Sequence, residues 1–227
     1  MSEIDQNLWR IKLKAWTHDP AEKALVLFRD PAGHEGGTVR ALRDALTLAE
    51  VAFDARCDHW AAAADRPQFP HDTANRYAGW AQVRFAERPV LIHPLSGQAY
   101  DLGTLKELEP ELIKAVSLDH LLGYVSDAAG DARKAFLAAW RFGPALDAEG
   151  LGKLWRLLPA DTRVPDHTIW AHLDLSAAFA GAMAGGGLPA LLLMAFGPVQ
   201  EFIAQARSTS DLWAGSHLLA RIAWEGM

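Results

Sequence analysis

Apolar residues recur at helical spacing over most of this chain. Leu8 to Trp16 places them on one side of a helix that ends at Thr17-His18-Asp19-Pro20. Pro20 disfavours helical geometry at Asp19 and suits the first turn of a following helix, Ala21 to Phe28. After the loop Arg29 to Gly37 (RDPAGHEGG), the pattern predicts a helix over Thr38 to Phe53. Its buried side is supplied by Leu42, Ala45, Leu46, Ala49 and Val51 to Phe53. Another helix is expected over Ala55 to Asp65, stopped by Pro67.

Pro67 to Ala78 is polar and reads as a loop, with short extended pieces expected at Val83 to Ala86 and Val90 to His93. HPLSGQAYDLGTL, His93 to Leu105, has the turn chemistry of a small β-hairpin bending at Ser96-Gly97. Helices are expected again over Glu107 to Ser126, Ala129 to Arg141, Leu151 to Leu158 and, most strongly, Asp166 to Met183. Gly185-Gly186-Gly187 marks a boundary. Beyond it the run Leu191 to Phe196 reads as a strand that breaks at Gly197-Pro198 into an amphipathic helix, and a second helix opens at Ser210-Asp211. This strand and helix have nothing downstream to pack against, so they are expected to be the opening of an incomplete second domain.

Composition narrows the class. The chain has 227 residues, half of them hydrophobic, enough for one domain with a sizeable core and part of another. Cys57 is the only cysteine, which excludes disulfide stapling and a cysteine-built zinc finger within the chain and suits a reducing, cytoplasmic setting. MSEIDQNLWRIKLK does not read as a signal peptide, and no apolar run is long enough to span a membrane. A net charge of −6 argues against broad non-specific nucleic-acid binding by these residues alone, though not against a local groove.

Three sets of side chains could carry chemistry. The adjacent His18-Asp19 pair offers a nitrogen and an oxygen to one divalent cation, a mixed donor set that suits a water-activating transition metal; alone, the dipeptide also reads as a helix cap. Asp58 and Asp65 lie seven apart on one helix, so two turns bring them to nearly the same face, with Ala61 and Ala62 small enough between them for another helix to approach. An exposed polar stripe is the alternative, and His59 points away from that face. His167 and His172 are five apart and share a face poorly. His172 fits the inward stripe continued by Leu175, Phe179 and Met183, where a histidine is ordinarily a core residue unless it converges with His18, Asp19 and an aspartate. His34, in the Gly-rich loop, is either a ligand or an exposed loop residue. No P-loop, GxGxxG, GxSxG or HExxH occurs, and nothing beyond residue type supports Cys57 as a nucleophile.

Taken in order, five stretches resemble the N-terminal part of the large subunit of type III-B CRISPR effector complexes, the Cmr type. They are LWRIKLKAWTHDPAEKAL, CDHWAAAADRP, LIHPLSGQAYDL, PDHTIWAHLDLSAAFA and GPVQEFIAQARSTSDLWAGSHLL, the last being the most specific. The motif HDPAEK departs from the family only in lacking a second proline. The resemblance implies a mainly α fold: a permuted HD-type helical domain over 1–184, with a small hairpin insertion near 90–105. It is followed over 188–227 by the first β-α elements of an α+β, ferredoxin-like palm.

The resemblance also gives the scattered residues a joint role. His18 and Asp19 would form the His-Asp motif, His172 would be the ligand from the permuted helix, Asp58 or Asp65 the remaining carboxylate, and His34 an additional ligand. The implied chemistry is attack by metal-activated water, with Mn, Ni or Mg, on a phosphodiester of single-stranded DNA. The implied partners are other effector subunits, guide RNA and target RNA. Cyclic oligoadenylate synthesis from ATP is implied only for a full-length protein, because Gly185-Gly186-Gly187 is followed by Leu188-Pro189 and no Gly-Gly-Asp-Asp motif occurs. Ser208, Ser210 and Asp211 read as helix-cap chemistry. The alternative reading is a catalytically silent scaffold docking on effector subunits and guide RNA. An unrelated HD phosphohydrolase acting on free nucleotides ranks last, since it leaves the GPVQEFIAQAR stretch unexplained.

Overall fold

The computed structural model describes residues 3–26, 37–65, 85, 88–93, 96–101, 109–126, 128, 130–145, 151, 154–161, 165–193, 195, 197 and 199–225, with backbone alone at 3, 4 and 63–65. The described chain is mainly helical and packs as two units, Met1–Pro189 and Ala190–Met227.

In the first unit, α1 (Glu3–Trp16) runs inward from an exposed start, so that its last turn, Leu13, Lys14, Ala15 and Trp16, is buried on every side. It stops where Thr17 Oγ1 donates back to the Leu13 carbonyl at 3.0 Å, a bond that competes with further helical turns. After a tight turn, α2 is short (Lys23–Val26).

The helix expected to run to Phe53 ends far earlier. α3 spans Thr38–Ala45, and Thr47 then adopts a positive φ of 54°. The cause lies on α1. Arg10 Nη2 donates to the Thr47 carbonyl at 2.7 Å, and Lys14 Nζ donates to the carbonyls of Leu48 (2.8 Å) and Ala49 (3.3 Å). Cations satisfying the free carbonyls at a helix end hold the chain in this turn. α4 (Arg56–Asp65) follows after Asp54 Oδ1 accepts the Arg56 amide at 2.9 Å.

The hairpin forms as expected from Ser96-Gly97. β1 (Val90–Ile92) pairs antiparallel with β2 (Ala99–Asp101), Leu91 facing Tyr100, and Gly97 takes the positive φ of 68° that the bend requires. The expectation at Val83 to Ala86 falls almost wholly outside the described residues. α5 (Pro110–Ser126) and α6 (Ala132–Phe142) come next; Asp131 caps α6 by accepting the Lys134 amide. A short 3-10 turn, Gly143–Ala145, and α7 (Leu154–Leu157) lead into α8 (Ile169–Met183). α8 starts where Thr168 Oγ1 accepts the Ala171 amide, and the chain before it is pinned by the Ile169 amide donating to the Leu158 carbonyl at 2.7 Å.

Packing is dominated by α1 against α8 and α6, α4 against α8, and α5 against α6 and α3. The main core gathers Leu13, Trp16, Leu25, Ile113, Trp155, Leu158, Ile169, Trp170 and Leu173. A smaller cluster of Ala15, Cys57, Ala61, Phe179 and Ala180 lies where α1, α4 and α8 meet. Its alanines let the three backbones come close, and this closeness sets the site described below.

In the second unit, α9 (Val199–Ala204) and α10 (Thr209–Glu225) are joined by a turn in which Ser208 Oγ accepts the Asp211 amide at 3.1 Å and Arg207 pairs with Asp211. The strand expected over Leu191 to Phe196 is not formed at its described residues: Leu191, Leu192 and Leu193 are irregular and 71–92% exposed. An apolar run becomes a strand only beside a hydrogen-bonding neighbour, and no described segment pairs with it. None of this unit's described residues is fully buried. Among the described residues, no helix is long and apolar enough to cross a membrane.

Candidate metal centre

The end of α1, the start of α4 and the first turn of α8 bring four sequence-predicted side chains to one point. His18 Nε2 lies 3.2 Å from His172 Nε2. Asp58 Oδ1 lies 2.9 Å from His172 Nε2 and 3.3 Å from His18 Nε2. Asp19 Oδ2 is 3.6 Å from His18 Nε2. One ligand atom each from His18, Asp19 and His172 falls within a 4.8 Å span. Two imidazoles and two carboxylates at this spacing fit a divalent cation of the borderline type.

One imidazole is held from behind. His18 Nδ1 lies 2.6 Å from the Ala15 carbonyl. A carbonyl only accepts, so Nδ1 donates there and Nε2 is the ring nitrogen that faces the cluster, the atom a ligating histidine would offer. His18, Asp19 and His172 have side chains 8%, 7% and 5% exposed, whereas Asp58 is 36% exposed and forms the mouth of the site. Hydrogen bonds from His172 and then His18 hold the Asp58 carboxyl well below the ordinary carboxylate range. It is therefore ionised at any physiological pH.

Asp65 closes α4 seven residues beyond Asp58, about 10 Å further along the helix axis at 1.5 Å per residue; its side chain lies outside the described residues, as does His34. His59 is exposed. His167 stands beside the cluster, its ring centroid 6.1 Å from that of His172, and pairs through Nδ1 with the buried Asp166 at 2.6 Å. Cys57, the neighbour of Asp58, is fully buried, and burial pushes its thiol up to about 11, so it is no nucleophile.

Two further residues belong to the surroundings of the site. Lys23 Nζ donates to Asp19 Oδ2 at 2.6 Å; the signal in the sequence is the four-residue spacing from Asp19. Asp174 accepts from the indoles of Trp16 (3.0 Å) and Trp140 (3.1 Å), tying α1, α6 and α8 together two residues from each histidine of the pair. Burial raises the Asp174 carboxyl to about 6. Its only sequence signal is a carboxylate between Leu173 and Leu175 on a largely apolar helix.

Comparison with known proteins places the chain beside subunits of CRISPR systems. Residues 191–227 match the family model for the N-terminal region of CRISPR-associated protein Cmr2. The chain is also 33% identical over 176 residues to the CRISPR system Cmr subunit Cmr2 of Pyrococcus furiosus, an alignment covering 61% of this chain and 20% of that protein. The similarity to the Cmr2 large subunit thus stands on both matches. The chain spans about a fifth of that relative's length, and the family-model match covers the second unit, which contains none of the cluster's residues. No solved structure matches.

Proposed function

We propose that the cluster of His18, Asp19, Asp58 and His172 is an HD-type metal centre that hydrolyses phosphodiesters of single-stranded DNA within a type III-B CRISPR effector subunit. The observation that carries this reading is the convergence of two Nε2 atoms and two carboxylates from three helices at 2.9–3.6 Å. A divalent metal bound there, Mn, Ni or Mg, would supply a water of lowered pKa and neutralise charge on the phosphate. The chain's own residues set the stage. His18 and His172 present Nε2, with His18 locked by the Ala15 carbonyl. Asp19 is a buried anion held by Lys23. Asp58 stays ionised, which makes it a ligand rather than a proton acceptor. Being the exposed member, it faces the direction from which a nucleic acid strand enters. Other effector subunits, guide RNA and target RNA are the partners that similarity to Cmr2 suggests, and ATP chemistry is suggested only for a full-length protein.

The test is cleavage of labelled single-stranded DNA with Mn²⁺, Ni²⁺ or Mg²⁺ by this chain and by the His18→Ala/Asp19→Ala double variant. The expected result is metal-dependent cleavage that the variant loses. A folded, metal-loaded wild type that leaves the DNA intact would instead assign the unit to scaffolding among effector subunits and guide RNA.

A further inference from the structure

We propose that Lys23 occupies the position of a second cation, so that this centre takes one divalent metal rather than two. The inference rests on the reading of the cluster as a metal centre. Paired hydrolytic metals sit ~3.5–4 Å apart and share a carboxylate between them. Asp19 is the buried carboxylate next to His18 and therefore the natural bridge, yet its Oδ2 already receives Lys23 Nζ at 2.6 Å. A cation ligated by His18 and by Asp19 at ~2.0–2.2 Å would leave the ammonium about 4 Å away across the same oxygen, the spacing of a second metal. Lys23 comes from the turn of helix directly after the His-Asp pair, four residues on from Asp19, and its side chain is only 20% exposed.

Charge points the same way. Among the described residues of the cluster, Asp19 and Asp58 supply two negative charges and Lys23 one positive, leaving a single net negative charge. One dication nearly balances it. A second would leave a strongly positive, mostly buried site, which burial makes costly. A lysine suits the role because its ammonium is a compact point charge. Lys23 is thus a positioning residue that fixes the stoichiometry of the site and the orientation of Asp19.

The test is Mn²⁺ binding by the whole chain, with stoichiometry from equilibrium dialysis and ion–ion coupling from electron paramagnetic resonance. Wild type is expected to hold one Mn²⁺ with the hyperfine pattern of an isolated ion. Lys23→Met is expected to hold two, exchange-coupled, and Lys23→Gln gives the same readout if the methionine variant does not melt cooperatively. Two coupled ions in wild type, or one ion in wild type and both variants alike, would overturn the role of Lys23 while leaving the metal centre standing. A wild type that binds no Mn²⁺ overturns the metal reading and this inference with it.

Discussion

Asp58 Oδ1 sits 2.9 Å from His172 Nε2, joining the first turn of α4 to the first turn of α8 across more than a hundred residues of chain. The same oxygen reaches His18 Nε2 at 3.3 Å, so one carboxylate brackets both imidazoles. If this bracket is a ligand set, Asp58→Asn, which keeps shape and loses charge, is expected to weaken Mn²⁺ binding by at least ~10-fold, the lower bound for loss of even an outer-shell partner. Asp65→Asn, two turns further along α4, is expected to leave affinity within about twofold. Titration calorimetry on the two variants decides between the aspartates, and equal losses would sink the choice of Asp58.

Asp174 gives the stability of the unit a pH dependence. Its carboxyl is raised to about 6 because burial outweighs the two indole hydrogen bonds, whereas an unfolded-chain aspartate titrates near ~3.9. Between these values the native state keeps a proton that the unfolded chain has released, so stability falls as pH rises across that window. The Tm of Asp174→Asn relative to wild type, measured in chelator, is therefore expected to climb from pH ~4 to pH ~7, at ~2–4 °C per kcal/mol for a chain of this size. The site's partial exposure keeps the effect below what the full shift would give. A difference that is flat with pH would place Asp174 in solvent.

Cys57 offers a check on the packing of α1, α4 and α8 that needs no metal. Its thiol is fully buried among Ala15, Ala61 and Phe179 and pushed up to about 11. Native protein at pH 8 is expected to react with a disulfide reagent at least ~10-fold slower than the urea-unfolded chain, because both access and thiolate fraction are suppressed. Rapid labelling of the native state would show that the three helices do not close here.

What could be read from the sequence was local. The apolar stripe of α8 put His172 on the inward face, and Thr17 to Pro20 ended α1 where the His-Asp pair is needed. Convergence was implied only by the resemblance and not by spacing, because the distance from Asp58 to His172 depends on how closely Ala15, Ala61 and Ala180 let three helices approach. The early end of α3 was likewise hidden: its cause is Arg10 and Lys14 on another helix, which bind the carbonyls of Thr47 to Ala49. Leu191 to Phe196 misled for the opposite reason. Its composition suits a strand, but strand formation belongs to a pair of segments, and among the described residues none pairs with it.

Gly143 links the core to the site through Trp16. A Cβ there would stand 3.0 Å from Trp16 Cη2, 3.3 Å from Cζ2 and 3.4 Å from Trp170 Cζ3, all rigid ring atoms in a filled core. Its carbonyl is also fixed, accepting from Trp155 Nε1 at 2.7 Å and His120 Nε2 at 3.0 Å, so the backbone has little room to retreat. Gly143→Ala is expected to cost ~1–3 kcal/mol by overpacking. Since Trp16 lies two residues before His18 and donates to Asp174, Mn²⁺ affinity should fall with it. Gly181→Ala is the control. There a Cβ would meet Lys12 Cδ at 3.0 Å and Cγ at 3.1 Å, a flexible stem that must shift by a few tenths of an ångström rather than a rigid ring, and alanine favours the helix by ~0.5–1 kcal/mol. Chemical denaturation is therefore expected to find Gly143→Ala clearly more destabilised than Gly181→Ala. Equal effects would mean that the Trp16 ring has space the structure does not show.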